Sequence, residues 1–319
     1  MLRYTLRRLA WLPIILFAVS VIAFIMLRAL PGQDPARAIA GQGGSPATDE
    51  QIERVRQDLG LDRPLVEQYW EWARGAVTLD FGREYNSQKP IREEFISRFP
   101  ASFQIILLSL FFSAFFGISF GILSAMFRNS MLDYGVRTFA VLGSSIPEFF
   151  LLTLMIIIPS FLWHYSMPVG GYKPFYEDPE HYIRLMIPAA LIIGVGGSAG
   201  LMRLTRTTML EVLRSDYVRT AHAKGLRQRT VVLTHALRNA GTPIATALGT
   251  ALIAVFGGSV IVEQILSIRG LGAWFFTAAF IRDIPVVQFL AVYTAFIVVM
   301  VNLVVDLSYA HIDPRIRYS

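Results

Sequence analysis

Residues Gly196 to Gly200 read G-G-S-A-G, the G-x-S-x-G spacing that presents a nucleophilic serine in hydrolases, here inside an apolar run. An intramembrane serine hydrolase built on Ser198 is therefore the enzyme alternative. Such a serine needs a base, usually histidine, within hydrogen-bond reach. The five histidines, His164, His181, His222, His235 and His311, all lie outside the apolar runs. The small residues Gly194, Gly196, Gly197, Ser198 and Gly200 have a simpler use, because they let helices approach closely in a bilayer. Gly194 to Ala199 also matches G-x-G-x-x-A, but a dinucleotide fingerprint needs a strand-to-helix turn that this context does not offer. No G-x-x-x-x-G-K-[ST] phosphate loop occurs, so this chain is not itself a P-loop ATPase. With no cysteine, thiolate metal sites and cysteine nucleophiles are excluded. Two carboxylates remain conspicuous. Glu148 follows Pro147 inside an apolar run, where facing lipid is costly, and Glu263 follows Gly257 and Gly258 near the end of another. Both are candidates for lining a polar translocation path.

The elements that must position these groups are membrane helices. The composition is 54% hydrophobic and 16% charged, too apolar for a soluble globule of this size. A hydrocarbon core about 30 Å thick takes about 20 apolar helical residues. Runs of that kind extend from Leu9 to Leu30, Ala101 to Phe127, Val136 to Trp163, Leu185 to Met202, Pro243 to Val262, and Ile284 to Val305. The first is longer than a signal-peptide core, and the small residues Ala38 and Ala40 lie well beyond it, so it reads as an anchored first helix.

The net charge of +6 is distributed as membrane topology requires, rather than as a nucleic-acid face. Between residues 203 and 242 stand Arg203, Arg206, Arg214, Arg219, Lys224, Arg227, Arg229 and Arg238 against only Glu211 and Asp216. That loop is expected in the cytoplasm. Residues 31–100 carry twelve of the 23 acids and are expected outside. An even number of spans then places both termini, with Arg315 and Arg317, in the cytoplasm. The expected organisation is a stub and first span at 1–30, an external segment at 31–100, a core of five spans at 101–306, and a tail at 307–319. The external segment is expected to be helical: Thr48 to Gln51 has capping-box spacing before Ile52, Val55 and Leu59, and Pro64 to Arg74 reads as an amphipathic aromatic helix stopped by Gly75.

In the basic loop, Ser215 is placed to cap a helix running through Lys224, and Gly225 to supply the left-handed turn that ends it. A second short helix starts near Arg227. The bland alternative is a solvated loop attracted to anionic lipid headgroups.

The stretch from Asp216 to Ala240, D-Y-V-R-T-A-H-A-K-G-L-R-Q-R-T-V-V-L-T-H-A-L-R-N-A, resembles the EAA loop of ABC importer permeases, most closely the dipeptide, oligopeptide and nickel branch. Arg219, Thr220 and Ala221 occupy the E-A-A positions, and Gly225 matches the central glycine. The openings L-R-R-L-A-W-L-P and L-R-A-L-P-G-Q-D-P, the R-G-L-G from Arg269, the R-D-I-P-V-V-Q from Arg282 and the terminal D-P-R-I-R-Y are similar to the first permease of such systems. The resemblance implies an all-α type I importer permease with six transmembrane helices and no cofactor of its own. ATP and Mg would be bound by partner subunits. It further implies pairing with a homologous second permease, two ATP-binding subunits, an external substrate-binding protein and a bacterial or archaeal inner membrane with its lipid. Contact with the ATP-binding subunits would fall on Asp216, Arg219, Thr220, Ala221, Lys224, Gly225, Leu226 and Arg227.

Overall fold

The computed structural model describes residues 2–28, 35–40, 48–58 and 60–312, whose regular structure is helical apart from one isolated bridge, Arg83 to Pro90. The end of the first apolar run, the L-R-A-L-P-G-Q-D-P motif beyond Arg28, Leu59, Arg315, Arg317 and the D-P-R-I-R-Y tail lie wholly or partly outside the described residues. Among the described residues, five helices are long and apolar enough to cross a membrane, and six spans result if the one bent pair counts as a span. The chain divides into two compact units.

One unit comprises residues 6–100 and 269–299. It contains most of α1 (Leu2–Arg28), then α2 (Pro35–Ala40), α3 (Asp49–Asp58) and α4 (Leu65–Val77), with α12 (Leu271–Phe280) and the start of α13 (Ile284–Ile312). The capping box forms reciprocally: Gln51 N donates to Thr48 Oγ1 at 3.3 Å and Thr48 N to Gln51 Oε1 at 3.0 Å, starting α3. Helix α4 begins after Pro64 as expected but runs through Gly75, which was expected to stop it. The reason is a close approach: a Cβ at Gly75 would fall 2.6 Å from the Asp80 carbonyl oxygen, which turns back onto the helix. Tyr69 of α4 packs edge-on against Phe17 and Phe24 of α1 and shares a 2.8 Å hydrogen bond with Ser20. Ile91, Leu271, Trp274, Val286 and Phe289 form this unit's main core.

The other unit holds residues 101–268 with residues 2–5 and 300–312. Its frame is α5 (Ile91–Met126), α8 (Pro179–Leu213) and α11 (Leu237–Ile265), with α6 (Met131–Ser145) and α7 (Glu148–Trp163) packed beside them. Small residues draw α5 and α8 together: a Cβ at Gly194 would fall 2.5 Å from Phe112 Cβ, and one at Gly121 2.6 Å from Thr205 Cβ. Around this seam Ile105, Leu152, Met186, Ala190, Ile193 and Val262 form a buried core.

The third span was expected to be continuous from Val136 to Trp163. It is instead the pair α6 and α7, bent by 93°. Pro147 has no N–H to donate and its ring disfavours a helical residue before it. Ile146 is accordingly extended at φ −94°, ψ 122°, and Pro147 becomes the N-cap of α7. Glu148 is thereby the first residue of a new helix, at the break within that span.

Candidate functional site

The basic loop folds as a protrusion on the end of α8. Helix α8 has 35 residues, about 52 Å at 1.5 Å per residue, so it outruns a hydrocarbon core about 30 Å thick. Ser215 ends it by donating from Oγ to Val212 O at 2.5 Å. That differs from the expected side-chain cap: Ser215 occupies the N-cap position of α9 (Asp216–Ala223) but its hydroxyl is spent on the preceding helix. Helix α9 ends as expected at a left-handed Gly225, φ +78°. Gly225 N donates to His222 O at 2.9 Å and Leu226 N to Ala221 O at 3.3 Å, the paired bonds of a Schellman motif. The short α10 (Gln228–Thr230) follows, then a π-helical turn, Val231–Ala236, that runs into α11.

Val218, Ala221 and Val231 are buried against Leu213, giving the protrusion a small core that fixes the bend. Of the residues the family resemblance singled out, Asp216, Arg219, Thr220, Lys224, Gly225, Leu226 and Arg227 are exposed, while Ala221 belongs to that core. Arg219 lies 3.5 Å from Asp216, both in solvent, a pair worth under about 1 kcal/mol. Three large apolar side chains, Tyr217, Leu226 and Leu233, stand exposed among these basic residues. A rigid basic knob with apolar side chains on its surface has the composition of a protein-docking surface.

The two candidate path carboxylates are placed differently. Glu148 enters a notch between α8 and α11: a Cβ at Gly196 would lie 3.0 Å from Oε1 and one at Gly258 2.6 Å from Oε2. Its side chain is half-buried. Glu263 is fully buried and accepts a 2.6 Å hydrogen bond from Ser102 Oγ, joining α11 to α5. Glu263 is thus held in the packing between α5 and α11. Ser198 is also buried and donates to Val195 O at 2.7 Å, the local bond of a helical serine, which provides no base to activate it.

Two further carboxylates carry structure that sequence reading missed. Asp133, in the first turn of α6, receives Arg206 Nε on Oδ1 and the second guanidinium nitrogen on Oδ2, both at 2.9 Å, together with Ser124 Oγ at 2.5 Å. In the other unit, Asp283 Oδ2 accepts from Tyr85 N at 2.9 Å and Asn86 N at 3.4 Å, while Trp274 Nε1 donates to Glu84 at 2.8 Å. Those bonds fasten the turn at residues 82–90 to α12 and to the residue before α13. Burial pushes the Asp283 carboxyl up to about 6, against the backbone donors that favour its charged form. The pairs are separated by 73 and 198 residues, so no local pattern announces them.

Comparison with known proteins agrees with this architecture. Residues 117–318 match the family model described as the binding-protein-dependent transport system inner membrane component, and residues 1–106 match its N-terminal companion. The chain belongs to this family of binding-protein-dependent ABC transporter permeases. A glutathione transport system permease protein of Escherichia coli (strain K12) is 40% identical over 320 residues, covering all of both chains. A putative peptide transport system permease protein of Brucella abortus (strain 2308) is 38% identical over 314 residues, 98% of each. The fold is also that of a chain in inward-facing structures of the MetNI methionine ABC transporter, with TM-score 0.55 and 18% identity over 69% of this chain and 96% of that one. The chain is accordingly a multi-pass membrane permease subunit and not an enzyme, and ATP hydrolysis falls to partner subunits.

Proposed function

We propose that this permease serves an importer of peptides or of small peptide-like solutes, the class named for the full-length relatives from Escherichia coli and Brucella abortus. It pairs with a homologous second permease to enclose the path, and an external binding protein delivers solute to it. Both termini lie in the cytoplasm. Two ATP-binding subunits dock below, one of them on the α9–α10 protrusion of this chain. ATP-driven closure of those subunits favours the outward-facing arrangement and hydrolysis resets it.

The observation that carries this reading is the bent protrusion itself, with its own apolar core and an exposed surface of basic and apolar side chains. A lipid-binding loop needs neither a fixed bend nor a core. Glu148 is the candidate path residue, because a half-buried carboxylate at a helix break can exchange partners as helices move. Glu263 is assigned to packing between α5 and α11.

Purification of the tagged chain from cells expressing the complete system tests the proposal. Co-purification of a second permease and ATP-binding subunits, with peptide-stimulated uptake after reconstitution, is the expected result. Recovery of the chain alone, with uptake independent of it, contradicts the reading.

A further inference from the structure

We infer that Asp133 and Arg206 are a positioning pair that carries movement of the protrusion to the Glu148 notch. The inference rests on the coupling role proposed above for the protrusion. Arg206 sits on α8 eight residues before Arg214, about 12 Å from the stem of the protrusion. Leu213 packs on the protrusion's core, and Met209 belongs to the same buried cluster as Val232 and Ala236 of the π turn. The end of α8 is therefore gripped from both sides of the bend. The same stretch of helix holds Asp133 through two parallel guanidinium bonds, an arrangement that fixes orientation as well as distance.

Asp133 is completely buried, and its remaining capacity is used by Ser124 Oγ at 2.5 Å and Asn129 N at 3.0 Å. Arg137 approaches Oδ1 at 3.6 Å. Asn129 adopts φ +62° in the turn between α5 and α6, which directs its N–H at the carboxylate. The pair thus clamps the beginning of α6. The far end of α6 is Ser145, immediately before the extended Ile146 and the 93° break at Pro147. A displacement of α8 relayed through the clamp reaches that break through one 15-residue helix of about 22 Å, and Glu148 is the next helical residue. Rigid elements joined at a break are the physical means by which a small shift at one end becomes a change at the other.

The absence of cysteine makes a site-specific readout available. Ser145→Cys, at an exposed position beside the break, is labelled with a maleimide in the complete reconstituted transporter, with and without ATP. The labelling rate is expected to change by about threefold or more on ATP binding in the parent. Arg206→Lys keeps the charge and loses the bidentate geometry. It is expected to abolish that change while the ATP-binding subunits remain bound. The neutral double variant Asp133→Asn with Arg206→Gln, which leaves no unpaired buried charge, is expected to do the same. An ATP-dependent change that persists in both variants overturns the relay but leaves the protrusion's role intact. No ATP-dependent change in the parent also overturns the relay, whereas the protrusion's role fails only if Gly225→Val keeps full binding-protein-stimulated ATP hydrolysis.

Discussion

The Glu148 carboxylate occupies the space that any side chain at Gly258 would need, since a Cβ there would lie 2.6 Å from Oε2. This contact sets α7 against α11 where the third span breaks, and it exists because two residue types meet: a glycine that yields room and a glutamate at the first position of a helix. The helix N-terminus favours a negative charge there, by about 0.3–1 kcal/mol.

Glu148→Gln keeps the shape and removes the charge. With a path role, uptake of cationic peptides is expected to fall relative to neutral ones by about tenfold, the loss of one charge-assisted contact of about 1.5 kcal/mol. Gly258→Ala is expected to impair both classes by displacing the side chain. Competitive uptake of a cationic and a neutral peptide by reconstituted transporters measures this, and equal effects of Glu148→Gln on the two contradict a path role.

Asp283 makes the turn at residues 82–90 pH-sensitive. Its carboxyl titrates at about 6 in the folded protein, whereas an ordinary aspartate does so near 3.8. The folded state therefore binds more protons across that window, and stability falls as pH rises from about 4 to about 6, by up to about 3 kcal/mol. Protection of the Tyr85 and Asn86 amides, corrected for intrinsic exchange, is expected to be higher at pH 5 than at pH 8. Asp283→Asn should flatten the profile and raise protection at pH 8. A profile unchanged by the substitution contradicts the assignment.

Glu263 and Ser102 are joined by a buried hydrogen bond between α11 and α5, and the proposed assignment of Glu263 to packing is testable on it. Ser102→Ala removes one donor from a buried carboxylate and is expected to cost about 1–3 kcal/mol, read as a lower unfolding temperature of the purified assembly. Glu263→Gln should leave the ratio of cationic to neutral peptide uptake unchanged. A shift in that ratio would return Glu263 to the path.

These sites differ in how far the sequence discloses them. Long apolar runs and the basic loop follow from composition and periodicity, and the turn at Gly225 follows from glycine's access to positive φ. Pro147 was visible as a disturbance, but whether a proline kinks a helix or ends it depends on what receives the next residue. Here that is the notch at Gly196 and Gly258, contributed by two distant helices. Gly75 misled for the same reason, because its lack of a side chain serves the Asp80 carbonyl rather than a helix stop. The Asp133–Arg206 and Asp283–Tyr85 contacts depend on tertiary packing alone, and Arg206 reads in sequence as one more basic residue of a cytoplasmic loop.

In the proposed function, the bend at Gly225 presents the surface through which ATP hydrolysis drives this permease. A Cβ there meets nothing within 4 Å, so crowding is not the obstacle; φ +78° is, and a β-branched residue in that region costs roughly 1–2 kcal/mol. That is small for a multi-helix membrane bundle and large for a short protrusion whose core is Val218, Ala221, Val231 and Leu213. The decisive measurement is ATP hydrolysis by the reconstituted assembly carrying Gly225→Val, with and without peptide-loaded binding protein. Normal membrane insertion, weakened retention of the ATP-binding subunits and a stimulation by binding protein reduced about tenfold or more, as a shift of about 1.4 kcal/mol requires, are the predicted result. Normal subunit stoichiometry with full stimulation and uptake would contradict the account.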